Sequence, residues 1–233
     1  LIRPQFHARE HLNVPLWMAD LKAGREEARL GFRHGFYGMR TTTSSRWQQH
    51  YKAAHCAESP QQMEEIAQIT SEGLTSFRQT FNFSSDTFVA CNYVLPDELE
   101  KHLESEGVCQ IQTQRGYVQP LPAQGGKRRI RHPYTGQSNK HGQRYSVRNV
   151  FFEPYSSQQV DWVGRAFGEV RDAFRLHTPA IVCSHRINYT SGMEKAHRDR
   201  SLKMLDRFLG RLRYSWPEIE FVSSDELAAT IRG

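Results

Sequence analysis

Short apolar runs alternate with helix-length amphipathic segments along this chain, and that alternation constrains its fold more than any other feature. Residues 3–7 (RPQFH) read as the end of a strand. Asn13 caps a helix with Pro15 in its first turn, running towards Gly24. Ser59-Pro60 opens another helix, with Met63, Ile66 and Ile69 on one face. Thr87–Cys91 (TFVAC) reads as a buried strand, Asp97 to about Glu106 as a helix stopped by Gly107, and Val108–Thr113 as a strand again. Val147–Phe152 is a further strand candidate, and 157–176 carries Val160, Val163, Phe167, Val170 and Phe174 at helical spacing. Pro179–Ser184 reads as an apolar buried strand, Leu202, Leu205, Leu209 and Leu212 stripe a helix, and Glu218–Val222 is a last short strand. Ser223 with Glu226 forms a capping box for a closing helix.

Repeated strand–helix alternation with apolar strands implies α/β architecture, a parallel sheet covered by helices, as a barrel or an open doubly wound sheet. No GxGxxG or Walker loop occurs, which argues against a nucleotide-binding open sheet. The reading is of one domain over 1–233. Residues 117–146, rich in Gly, Pro, Gln and basic side chains, read as a long basic loop insertion.

The net charge of +6, with a pI near 9.3, raises the possibility of a polyanionic partner. Much of the excess lies in Lys127, Arg128, Arg129, Arg131 and Lys140, inside that one stretch. No zinc finger, RNA-binding signature or basic helix with stacking aromatics accompanies them, so a nucleic-acid binder ranks third among the readings. The four cysteines, Cys56, Cys91, Cys109 and Cys183, form no CxxC pair. They read as reduced, mostly buried thiols, which weakly favours a cytoplasmic setting. No apolar run approaches the ~18 residues of a membrane helix.

In either α/β architecture ligands meet the carboxyl ends of the strands. His7, Arg9, Glu10 and His11 follow the first strand, and Asn92 and Tyr93 follow TFVAC. Arg115 follows 108–113, while Arg148, Asn149 and Glu153 lie within and after 147–152. Ser184, His185, Arg186, Asn188 and Tyr189 follow PAIVC. His7 and His11, four residues apart, have the spacing that puts two imidazoles on one side of a helical turn to share a metal ion. The bland alternative is two unrelated polar histidines. His185, ending the most apolar run, is placed as a general acid or base; its alternative is a core histidine bonded to backbone. Arg148 and Asn149 either orient a substrate or pair with Glu153.

The segments QFHAREHLNVPLW, TFVACNYVLPDELEKHLESEGVCQIQ, SVRNVFFEP, PAIVCSHRINY and WPEIEFVSSDEL together resemble the polysaccharide deacetylase-like proteins associated with bacterial surface glycans, relatives of the nodulation-type chitooligosaccharide deacetylases. The resemblance implies a distorted (β/α) barrel and a divalent metal, often zinc, held by Asp-His-His. It further implies an aspartate base and a late histidine acid. His7 and His11 match its His-x-x-x-His metal motif, and His185 falls where the family has its acid. Asn92, Tyr93, Arg115, Arg148, Asn149, Arg186, Asn188 and Tyr189 become the expected substrate-binding residues. No Asp-Asp pair is present, so the expectation is that the first strands, the base and the third ligand lie upstream of Leu1. The implied activity is metal-dependent removal of N- or O-acyl groups from a glycan. The alternative is a degenerate deacetylase fold that binds glycan without cleaving it.

Overall fold

The computed structural model describes residues 3–40, 50–125, 127–190, 192 and 194–232. Leu1, from which the upstream expectation is counted, lies outside them, as does Gly126 of the 117–146 segment. In chain order the helices are α1 (Val14–Lys22), α2 (Glu26–Arg33), α3 (Pro60–Phe81), α4 (Asp97–Ser105), α5 (Trp162–Arg175), α6 (Lys195–Ser215) and α7 (Ser224–Arg232). The strands are β1 (Thr87–Val89), β2 (Gln110–Thr113), β3 (Tyr117–Leu121), β4 (Lys127–Arg131), β5 (Arg144–Val147), β6 (Val150–Phe151) and β7 (Val182–Cys183). The chain divides into two compact units, one running to Ser146 and resuming at Ser223, the other covering Val147–Val222.

The helix ends follow local chemistry. The Asn13 side chain accepts from Leu16 N–H at 3.1 Å, and Ser59 Oγ accepts from Gln62 N–H at 3.2 Å, with a proline entering each first turn. The expected capping box is present on α7: Ser223 Oγ accepts from Glu226 N–H, and the Glu226 carboxylate accepts from Ser223 N–H at 2.6 Å.

In the first unit, β1, β2 and β5 form a three-stranded sheet in that order, with β1 and β2 parallel and Phe88 opposite Ile111. Both strands are buried throughout. Residues 3–7 contribute only one bridge, Phe6 to Phe88, although Phe6 itself is buried between Phe77 and Phe88. The 117–146 segment is not a plain loop: β3 and β4 form an antiparallel hairpin with Leu121 opposite Lys127, and the chain returns in β5. In the second unit β6 and β7 pair in parallel beside α5 and α6, around a core that includes Phe152 stacked on Phe208 at 5.3 Å.

The barrel expectation is overturned. Among the described residues helix makes up 46% and strand 14%, the sheets hold two or three strands, and no barrel closes. A barrel requires many strands of matched length, tilted to a common shear. Here the apolar runs are longer than the strands they yield. Arg148 and Asn149 interrupt 147–152, leaving two residues in β6. PAIVC yields only β7, whose Val182 is 45% exposed. Glu218–Val222 forms no strand at all. The leucine stripe on α6 is also rotated from its expected face. The buried positions include Phe208 and Leu212, while Leu202 and Leu209 reach solvent.

Candidate functional site

Two polar constellations stand out, one in each unit. In the first, His7 and His11 are brought together, with ring centroids 5.3 Å apart. They do not meet on a helical turn as their spacing suggests. Ala8 sits at φ +87°, which breaks any helix at its start and folds the chain back between the two rings. A left-handed alanine costs on the order of 1–3 kcal/mol, so neighbouring contacts must hold it. They are supplied on both sides. Phe6 is buried among aromatic rings, and Arg9 is ion-paired with Glu10 at 2.6 Å and with Glu72 of α3. Asn13, past the histidines, anchors the loop through donors to the carbonyls of Cys56 and Ala53 and through its own N–H to Tyr51 O at 2.7 Å.

His7 Nδ1 lies 2.7 Å from the carbonyl oxygen of Val89. A carbonyl only accepts, so Nδ1 carries the hydrogen and Nε2 the lone pair, the tautomer a metal-ligating histidine uses. Just beyond β1, Cys91 completes a group with His7 and His11 whose donor atoms all lie within 4.8 Å of one another. Tetrahedral bonds of ~2.0–2.3 Å set the ligands of one zinc ion about 3.3–3.8 Å apart, so a bound ion would draw these donors inward. Two imidazoles and a sulfur are a donor set suited to a borderline-soft cation such as zinc. Burial pushes the Cys91 thiol up to about 12, so a bound cation would have to displace its proton.

Asn92 and Tyr93 follow Cys91 in successive left-handed conformations, φ +53° and +52°, a second strained stretch at this group. The Asn92 amide nitrogen stands 3.4 Å from His50 Nε2, so Asn92 belongs to the surroundings of the histidines, while the Tyr93 N–H bonds Ala90 O at 3.0 Å. Burial, and then the Lys52 charge, hold His50 below its ordinary value. Behind them His55 is enclosed, its ring edge-on to Phe88 at 5.2 Å and its Nδ1 without a hydrogen-bond partner among the described residues. Burial, reinforced by His7 and His11, pulls it down to about 3, so it is a neutral imidazole. Arg115 is exposed, its carbonyl accepting from His132 Nδ1 at 2.9 Å, and it lines no part of this group.

In the second unit His185 is 70% exposed, and its Nδ1 lies 2.6 Å from Glu153 Oε1. The other oxygen, Oε2, accepts from Asn188 Nδ2 at 2.9 Å and from the His185 main-chain N–H at 3.4 Å. Asn188 is buried and also accepts from Tyr155 N–H, while the hydroxyls of Ser184 and Tyr189 lie 2.7 Å apart. His185, Asn188 and Tyr189 therefore do form one network, with Glu153 at its centre. Arg148 Nη1 reaches Cys183 Sγ at 3.6 Å. Asn149 has a different role: its amide donates to Pro179 O and accepts from Ile181 N–H, tying β6 to β7. Arg186 is exposed, and its carbonyl accepts from Tyr189 N–H at 2.8 Å and from Thr190. An imidazole whose Nδ1–H is held by a carboxylate presents Nε2 for proton transfer.

Cys91 is the donor that sequence reasoning missed, because a cysteine in an apolar run reads as a buried thiol. The strand-end rule that selected His185 applies to it equally, since it lies two residues past β1. Nothing in the sequence marks His55 or His50. Compared with family models, curated proteins and solved structures, the chain matches none.

Proposed function

We propose that the protein is a metal-dependent hydrolase removing acyl groups from a glycan, with the metal held by His7 and His11. The observation that carries this reading is the convergence of His7, His11 and Cys91, with His7 fixed in the metal-ligating tautomer by Val89. A divalent ion there supplies Lewis acidity, polarising an acyl oxygen and acidifying water. The chain's own residues supply the rest. Val89 orients His7, the Arg9 ion pairs hold the loop, and Cys91 stands in the position of a third donor. In the second unit His185, oriented by Glu153, offers an acid–base pair of its own. The glycan substrate rests on the resemblance of FHAREHLN and SHRINY to deacetylase motifs.

One observation favours a second reading, a glycan-binding protein that does not hydrolyse. Among the described residues no carboxylate joins the His7–His11–Cys91 group, and Glu10 is engaged by Arg9. Elemental analysis of the purified protein, with acetate release from N-acetylglucosamine oligomers before and after chelation, separates the two. Stoichiometric metal with chelator-sensitive release supports the hydrolase. Metal without release supports the binder, and absence of metal affinity removes the hydrolase.

A further inference from the structure

The basic hairpin is not used by any of this chemistry, and its charge is extreme. Between Gly107 and Phe152 the chain has no Asp or Glu at all, while eight of its 31 Lys and Arg lie there. The remaining 23 basic residues face all 25 acidic ones, so the whole positive excess of the protein comes from this stretch. The structure concentrates it further. Every residue of β4 is exposed, and among the described residues β4 pairs with β3 alone. Cross-strand partners point to the same side, so Arg131, Arg129 and Lys127 share the face that carries Tyr117 and Gln119. No acidic side chain pairs with these three among the described residues, whereas Lys140 is already taken by Asp97 at 2.6 Å. Successive charges on that face are roughly 7 Å apart, two strand residues.

At the Arg131 end of this row lies a cavity of about 240 Å3, lined by Tyr117, Tyr145, Arg131, His132 and Gln137. Below the small-ligand range of ~300–1,000 Å3, it suits one small polar unit. The nearby Glu100 carboxylate is sealed off, with both tyrosine hydroxyls donating to its Oε1 at 2.8 Å. Its own raised affinity for a proton, caused by burial, also limits its charge. Guanidinium and amide donors thus remain to face a ligand.

We propose that this cavity and the exposed β4 edge bind an acidic polysaccharide: one uronate unit under Arg131, with the following carboxylates along Arg129 and Lys127. A single-stranded polynucleotide fits less well, because such binding relies on aromatic platforms for successive bases. Of the three aromatic residues between 107 and 146, Tyr117 and Tyr145 are buried, leaving Tyr134 alone exposed.

The test uses the full chain, with chelator present so that the outcome does not depend on metal or hydrolysis. Fluorescently labelled oligogalacturonate, neutral dextran oligomers and oligo-dT of equal charge are titrated at 50 and 200 mM salt. Oligogalacturonate should bind and dextran should not, with affinity falling roughly twentyfold between the two salts for three ionic contacts. Lys127→Ala/Arg129→Ala/Arg131→Ala should weaken binding at least tenfold, and Arg131→Gln alone severalfold, both with an unchanged melting temperature. Arg129→Lys/Arg131→Lys should retain most of the affinity. Preference for oligo-dT would overturn the proposal in favour of a nucleic-acid surface. Absent binding, or binding untouched by the Arg131→Gln and triple variants, would leave the charges only guarding an exposed edge strand.

Discussion

His185 and Glu153 are joined twice, through the ring Nδ1 at 2.6 Å from one carboxylate oxygen and through the main-chain N–H at 3.4 Å from the other. One side chain thereby sets both the orientation of the imidazole and the path of the turn that carries it. Glu153→Gln keeps the size of the side chain and an acceptor oxygen but removes the charge. Unfolding free energy should fall by about 1–3 kcal/mol as the charged contacts to this turn are lost, while zinc affinity stays unchanged. Denaturant melts with a parallel metal titration check this. An unaltered melt would show that the turn is held without the carboxylate charge.

Zinc affinity should depend on three side chains. His7→Ala, His11→Ala and Cys91→Ser are each expected to weaken binding by tenfold or more, measured by competition with a chromogenic chelator. Cys91→Ser is the informative variant, since it preserves volume to within one atom and replaces a soft donor by a poor one. Normal affinity in that variant would show that only the histidines hold the ion.

Gly73 of α3 faces the histidine loop so closely that an added Cβ would stand 2.9 Å from Arg9 Cβ and 2.9 Å from the Phe6 ring. Gly73→Ala should therefore push residues 6–9 away from the helix. Overpacking of this kind costs about 1–3 kcal/mol, readable in a denaturant melt. The same variant should lose zinc affinity despite touching no donor. A stable protein with unchanged affinity would show that the loop is not held by this packing.

The buried neutral His55 makes a prediction about acid. Its folded-state affinity for protons is depressed to about 3, against an unfolded value near 6.5. The unfolded chain therefore takes up the proton first as pH drops. The stability tied to neutral His55 is complete above pH 6.5 and declines as pH falls towards 3, by at most about 1.4 kcal/mol per unit. Melting temperatures of the wild type between pH 7.5 and 5 should fall more steeply than those of His55→Leu. Parallel curves would mean that another group governs the acid limb.

Much of the local structure could be read from the sequence because it depends on neighbours a few residues apart. Asn13-x-Pro15, Ser59-Pro60 and Ser223-x-x-Glu226 each locate a helix start from capping chemistry alone. Strand length could not be read that way. VRNVFF and PAIVC look like long buried strands, yet β6 and β7 pair over only two residues, because Arg148 turns to Cys183 and the Asn149 amide takes Pro179 and Ile181. The β3–β4 hairpin was hidden by its own polarity, since an exposed basic strand has no apolar alternation to detect. At the site, four-residue spacing correctly paired His7 with His11 but for a helical reason that Ala8 rules out. Cys91 and His55 arrive through long-range contacts that no spacing encodes.

The division of the chain at Ser146 and Ser223 bears on the order in which the protein can assemble as it leaves the ribosome. The unit covering Val147–Val222 is one uninterrupted stretch and can close on itself once its last residues emerge. The earlier-made unit still lacks α7, whose Asp225 takes the guanidinium of Arg3 and the amide of Gln5 beside β1. The unit begun before Val147 is thus completed after the one that interrupts it. The strand edge next to the histidine loop waits for α7 before its polar groups have their native partners.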